Sequence, residues 1–331
     1  MFKVVALLRP DGKWQSMNHV FKSGAWEWHE FLPGETEGLK KLAMERGSYN
    51  INSWIKKSAE MNTNSVVIDT FYKGAEWIAG SLVFKQDLVE KDDNHVFHFF
   101  LAEKFMITSD LDFSVLGERD YNLMRIQMGN CENAIEGFSV LLGEITTSSL
   151  IEIDPFEVRL NDLFWKMKKE NSTSILEEIY QCRHELLVLK HLMIPLKEIR
   201  IGMEEAFGNI AAEKPEYKRT CLKIDRGFAV INEYQAEIDT LIKLEEVVST
   251  HRGNEIMKTL TVLTTLFTPI TALGALWGMN FVNMPELEWK YGYVFALGLT
   301  ALSTIGLYIV LRTKGWSGDI LRGKKRYSFF K

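Results

Sequence analysis

The residues best suited to chemistry lie near the carboxyl end of the chain, at Gly278-Met279-Asn280. Residues 259–277 just before them hold no charged side chain, and neither do residues 291–311, which follow after the connection 281–290. An asparagine two residues after a flexible glycine, at the end of an apolar helix, places a neutral amide oxygen where an ion would enter. We therefore predict the mouth of an ion pathway at Asn280.

Hydroxyl groups recur along the first apolar segment at spacings of three and four residues. They are Thr261, Thr264, Thr265, Thr268 and Thr271, called the threonine stripe below. At about 100° per residue they occupy roughly a third of the helix circumference, in line with Met257 and Ala275. Threonine hydroxyls also bond to the preceding turn, and Pro269 leaves a carbonyl near Thr265 in need of a partner. Spacing alone leaves pore lining and helix packing both open.

These residues require two membrane helices to position them. At about 1.5 Å per residue, each apolar segment is roughly 30 Å long, the thickness of the hydrocarbon core of a bilayer. The short connection between them predicts a hairpin, and one hairpin cannot enclose a water path, so several copies must assemble. The second segment has no comparable polar line and is predicted to face lipid around the first.

Charge indicates the orientation. The net charge of the chain is −5, yet its last 20 residues carry seven basic side chains against Asp319 alone. By the positive-inside rule the carboxyl end lies in the cytoplasm, and two spans return the large amino-terminal part to the same side.

The three cysteines, Cys131, Cys182 and Cys221, are scattered and suit a reducing compartment. No signal peptide is apparent; residues 4–8 resemble a first strand.

The remaining pattern predicts an α+β protein in four parts. Residues 1–117 show short β-rich runs, at 65–69, 77–84 and 96–101, and helices near 35–46 and 51–60, which together predict an α/β domain with a mixed sheet. Residues 118–256 show helical periodicity, which is continuous from 216 to 277 and predicts one long stalk helix that becomes the first span. Residues 257–311 form the transmembrane unit, and residues 312–331 a basic tail.

Enzyme chemistry has little support. The sequence contains no phosphate-binding loop, nucleotide fingerprint, paired-cysteine motif or nucleophile motif. We predict that the chain is not an enzyme, needs no cofactor and has no nucleic-acid partner.

Several motifs together resemble the CorA family of divalent-cation (magnesium and cobalt) transporters of the Gly-Met-Asn type. They are Asn254-Glu255-Ile256-Met257-Lys258, Phe267-Thr268-Pro269-Ile270-Thr271, Gly278-Met279-Asn280-Phe281, Met284-Pro285-Glu286-Leu287 and Tyr291-Gly292-Tyr293. The resemblance covers residues 254–311 most specifically and the amino-terminal domain least.

The resemblance implies a funnel-shaped homopentamer in the bacterial inner membrane, with the first span lining the pore. It implies that Gly278, Met279 and Asn280 select the ion, most simply hydrated Mg²⁺ with Co²⁺ or Ni²⁺ as further candidates, and that Glu286 lies in the outer loop. Mg²⁺ dehydrates reluctantly, which suits a ring of amide oxygens. The implied pore lining is Asn254, Met257, Leu260, Thr261, Thr264, Thr268, Thr271 and Ala275.

Two departures from the family pattern matter most. Thr268 stands where the family often places an apolar constriction, which leaves Met257 and Leu260 as candidate apolar rings. Residues 217–222 lack the acidic groups with which many members bind a regulatory metal, so such a site is unknown here. The alternatives are a Zn²⁺ transporter of the ZntB-like branch and, from another class, a non-conducting membrane-anchored coiled-coil scaffold.

Overall fold

The structure is a computed structural model and describes residues 17–22, 24–31, 34–46, 49–88, 93–113, 121–169, 173–280 and 284–316. The chain divides into two compact units. The first contains the residues up to 162 together with 177–238, and the second contains 163–176 together with the residues from 239 onward.

The first unit is built on a six-stranded sheet with the order β1-β2-β6-β5-β4-β3. The strands are β1 (Met17–Phe21), β2 (Trp26–Phe31), β3 (Ser65–Asp69), β4 (Trp77–Gln86), β5 (Asn94–Ala102) and β6 (Phe105–Ser109). Strands β2 and β6 are parallel and every other described pair is antiparallel. The sheet is therefore mixed, as predicted.

Helices cover both faces of this sheet. The helices are α1 (Thr36–Glu45), α2 (Tyr49–Ser58), α3 (Tyr121–Met128), α4 (Ala134–Ile153), α5 (Pro155–Lys169), α6 (Thr173–Phe207), α7 (Asn209–Ala212), α8 (Pro215–Trp277), α9 (Pro285–Glu288) and α10 (Gly292–Thr313). Helices α1 and α2 pack on one face, where Leu39 and Trp54 join Phe100 in a buried cluster. On the other face, the rings of Phe99 and Phe138 of α4 are 5.0 Å apart. The α+β class is confirmed.

Three strands were not predicted from the sequence. The runs at 65–69, 77–84 and 96–101 are β3, β4 and β5, whereas β1, β2 and β6 went unrecognised. In β2 the charged residues Glu27 and Glu30 obscure the alternating pattern of a strand. In the structure both have partners, since Glu27 binds Arg46 and Glu30 lies 3.3 Å from the buried His19. The predicted strand at residues 4–8 lies outside the described residues, as does the proposed domain boundary at 117.

Helix α8 is continuous over 63 residues, about 95 Å at the usual helical rise. This confirms the helix predicted from 216 to 277, and Pro269 lies inside it without ending it. In the first unit, Ile224, Ile231 and Ile238 are buried at intervals of seven residues, which forms a packed seam along the helix. The Thr220 hydroxyl adds a polar contact, since it donates to the Ser139 carbonyl of α4 at 2.7 Å.

Among the described residues, three helical stretches are long and apolar enough to cross a membrane. Two of them, in Pro215–Trp277 and Gly292–Thr313, are almost wholly exposed along their apolar segments, as membrane spans would be. The third, Ala134–Met167, has 78% of its apolar segment buried within the protein. This third stretch therefore lies in the protein core, and the other two remain the candidate spans.

Candidate ion pathway

The Gly278-Met279-Asn280 triplet marks the end of α8. The Gly278 amide still donates to the Gly274 carbonyl at 2.9 Å, and the Met279 amide reaches the Leu276 carbonyl only at 3.4 Å. Asn280 lies beyond the helix and is exposed. Its side chain makes no hydrogen bond to any residue that the structure describes. Its amide oxygen is therefore available to solvent or to a hydrated ion.

Gly278 has a steric reason to be glycine. A Cβ atom at this position would lie 2.9 Å from the Gly274 carbonyl oxygen, which is closer than Cβ atoms normally approach backbone. That oxygen also accepts the last regular hydrogen bond of the helix. A side chain here would therefore disturb the turn that positions Asn280.

The threonine hydroxyls of the first apolar segment bond within their own helix. Thr261 donates to Met257, Thr264 to Leu260, Thr268 to Thr264 and Thr271 to Phe267, at 2.8 to 3.0 Å. Because each hydroxyl hydrogen is held by a backbone carbonyl, each hydroxyl oxygen keeps its acceptor capacity for a partner outside the helix. These bonds fit both the packing and the pore-lining interpretation. If the helix lines a pore, the groups that it presents to the pathway are hydrogen-bond acceptors.

The predicted lining residues do not all lie on one line. Most follow alternating steps of three and four residues: Asn254, Met257, Thr261, Thr264, Thr268, Thr271 and Ala275. At about 100° per residue, Leu260 and Thr265 lie roughly 80° to either side of that line. Met257 is 61% exposed. Its side chain is larger than that of Ala275, the other apolar residue on the line. Residues 281–283 and the Glu286 side chain lie outside the described residues.

The second span carries hydroxyls of the same kind without a free polar line. The hydroxyls of Thr300, Ser303 and Thr304 all donate to carbonyls one turn earlier in α10. The first charged residue after this run is Arg312, in the last turn of the helix. The span therefore has the surface expected of a helix that faces lipid.

Titratable groups with altered pKa lie in the first unit. Burial lowers the pKa of His98, whose Nδ1 atom is 2.7 Å from the Ser81 hydroxyl. Burial also lowers the pKa of His29, and the neighbouring Arg46 guanidinium adds to that effect. Within the described ranges, no three His, Cys, Asp or Glu side chains gather as a metal site would require.

Comparison with known proteins covers nearly the whole chain. Residues 23–313 match the model of the family described as CorA-like Mg2+ transporter protein. The magnesium transport protein CorA of Bacillus subtilis is 44% identical over 301 residues, which is 91% of this chain and 94% of that protein. The putative metal ion transporter YfjQ of the same organism is 31% identical over 88% of this chain and 90% of its own length.

A solved structure shows the same fold. The CorA magnesium transporter of Methanocaldococcus jannaschii aligns with a TM-score of 0.61 over 89% of this chain and 93% of that chain. Its sequence identity is 17%, so this likeness concerns the fold alone.

Proposed function

This chain belongs to the CorA-like Mg2+ transporter protein family, and on that basis we propose that it forms a passive channel for Mg²⁺ uptake. An inside-negative potential favours entry of a divalent cation by about 4.6 kcal/mol per 100 mV. No bound cofactor is needed, since the ion itself is the transported substrate.

The observation that carries this proposal is the exposed Asn280 at the end of α8. Mg²⁺ holds its waters tightly, and those waters present hydrogen-bond donors outward. An amide oxygen accepts such a bond without binding the ion as tightly as a carboxylate would, so the ion is recognised and still released. Gly278 and Met279 position this group at the mouth.

The threonine stripe extends the same chemistry along the pathway. Thr264, Thr268 and Thr271 keep acceptor oxygens free because their hydrogens are bonded to backbone. Copies of α8 around a central axis would present rings of these acceptors to a hydrated ion.

Five copies are proposed from the family resemblance, with the second span outside, both chain ends in the cytoplasm and Glu286 in the outer loop. Thr268 supplies polar surface at a level where an apolar gate would exclude water, so the gate is proposed at Met257.

The Zn²⁺ alternative is less favoured. The family that matches is described by Mg²⁺, and the chain keeps Met279 in the triplet where the ZntB-like branch usually replaces it. The scaffold alternative gives no role to an exposed Asn280 or to a polar line on an apolar helix.

Asn280→Ala tests the function directly. Removing the amide should abolish most Mg²⁺ uptake into proteoliposomes, while oligomer mass and melting temperature stay near the wild-type values, because Asn280 is exposed and outside the packed core. Asn280→Asp should bind cations more tightly and conduct poorly, since carboxylates slow ion release.

The matched control is Asn209→Ala, the same truncation at an exposed asparagine of the first unit. This variant should transport as the wild type does. Wild-type rates in Asn280→Ala would show that selection takes place elsewhere, and a preference for Zn²⁺ over Mg²⁺ in the wild type would support the alternative transporter.

A further inference from the structure

The line of exposed positions on α8 continues inward beyond the apolar segment. Going back from Asn254 in steps of four and three residues, it reaches Thr250, Val247 and Lys243, and all three are exposed. Between residues 240 and 275, Lys243 is the one charged residue on this line. Lys243 lies 16 residues before Thr259, where the uncharged segment begins, which is roughly 24 Å along the helix axis.

The spacing connects Lys243 to the pathway. From Lys243 to Thr271, four seven-residue repeats later, the line drifts by about 80° in a straight helix, because each repeat falls about 20° short of two turns. A left-handed supercoil of several α8 helices removes that drift. If Thr261 and Thr268 face a common axis, Lys243 therefore faces the same axis.

Among the residues that the structure describes, the ammonium group of Lys243 is not paired with a carboxylate. It makes no hydrogen bond or ion pair with any residue in the described part of the chain. Asp239 and Glu246 lie one turn before and after it, about 40° to 60° to one side of Lys243 on the helix. Five copies would therefore place five exposed positive charges around the inner pathway.

We propose that Lys243 forms a basic ring in the inner vestibule that limits the rate of Mg²⁺ passage. This inference rests on the proposed function. A divalent cation is repelled twice as strongly as a monovalent one by the same ring, and the repulsion is screened by salt in a water-filled vestibule. The ring is thus a rate-determining element separate from selection at Asn280.

Charge variants at this position test the proposal in proteoliposomes. Lys243→Gln should raise the initial Mg²⁺ flux about threefold at low ionic strength, and Lys243→Glu should raise it further, because repulsion is removed and then replaced by attraction. At about 1 M salt on both sides the differences should nearly vanish, since charges are then screened within about 3 Å. Lys243→Arg keeps the charge and should match the wild type.

Lys258→Gln is the matched control, because it removes an exposed lysine of the same helix that lies beside the line. It should leave the flux and its salt dependence unchanged. An active wild type with equal flux in Lys243→Gln, or an equal effect of Lys258→Gln, would overturn the inference and leave the proposed function standing. A wild type that carries no Mg²⁺ would overturn both.

Discussion

At the scale of single residues, the proposed mouth of the pathway depends on one side chain and on the absence of another. Asn280 offers an amide beyond the last helical turn, and Gly278 permits the turn that places it there. Because a Cβ atom at position 278 would lie too close to the Gly274 carbonyl oxygen, Gly278 has a geometric role that does not depend on contact with an ion. Its effect on transport should therefore be separable from ion chemistry.

Gly278→Ala is expected to reduce Mg²⁺ uptake at least tenfold. Its Cβ would meet the Gly274 oxygen at 2.9 Å, so the end of α8 must shift and move Asn280 with it. A misplacement of about 1 Å can cost about 100-fold in positioned chemistry, so a smaller shift is expected to cost less than that. Uptake into proteoliposomes at matched protein density gives the measurement.

The control is Gly253→Ala, where a Cβ has no neighbour within 4 Å. Alanine is favoured over glycine in a helix by about 1 kcal/mol, so this variant should be as stable as the wild type or slightly more so. Equal uptake in the two variants would remove the steric role assigned to Gly278.

At the scale of elements, the proposed pathway requires α8 to have one face toward water and another toward protein or lipid. The hydrogen bonds of the threonine hydroxyls stay within the helix and do not themselves distinguish a pore from a packed interface. The accessibility of the line does distinguish them, because a face on a water path is reached by small polar reagents and a packed face is not.

Cysteine labelling of α8 tests this face. With Cys221 replaced by Ser, since it alone among the three cysteines is partly exposed, Cys is introduced at Thr264, Thr268 or Thr271. These sites should react with small charged thiol reagents at least tenfold faster than Cys at Leu266 or Leu273 on the opposite face, because thiolates form in water and not in hydrocarbon. Mass spectrometry after timed labelling measures the rates. Equal rates on both faces would mean that the stripe is a packing surface.

At the scale of the whole molecule, the exposed apolar surface of α8 and α10 suits a membrane, and the proposed pore requires further copies of the chain. Leu302 is 71% exposed and Val294 is 67% exposed on the second span. Lipid can cover these residues, whereas the hydroxyl line of α8 needs water that a single hairpin cannot enclose. Assembly is therefore part of the proposed function.

The protein in a gentle detergent is expected to be a pentamer by native mass spectrometry, at five times the 38.2 kDa chain mass plus bound lipid. Asn280→Ala should give the same mass, since its loss of transport is local. A stable monomer or dimer that still transports Mg²⁺ would contradict the pore geometry.

The sequence by itself determined the features that depend on local pattern. The two uncharged segments, the continuous helix that ends at Trp277, the threonine spacing and the position of Asn280 follow from composition and periodicity along the chain. The family also followed from these motifs and is confirmed by the match over residues 23–313. Leu260 was placed among the lining residues by resemblance, and the helical geometry puts it beside the line.

Only the tertiary structure decided which elements lie inside. Strand β2 carries Glu27 and Glu30, and its burial depends on partners distant in sequence, Arg46 for the first and His19 with Tyr121 for the second. Helix α4 is apolar enough to cross a membrane and lies instead in the core, where Phe138 meets the sheet. Local pattern specifies how apolar a segment is. Whether protein or lipid covers that segment, and whether a charge within it is paired, depends on residues that only the folded chain brings together.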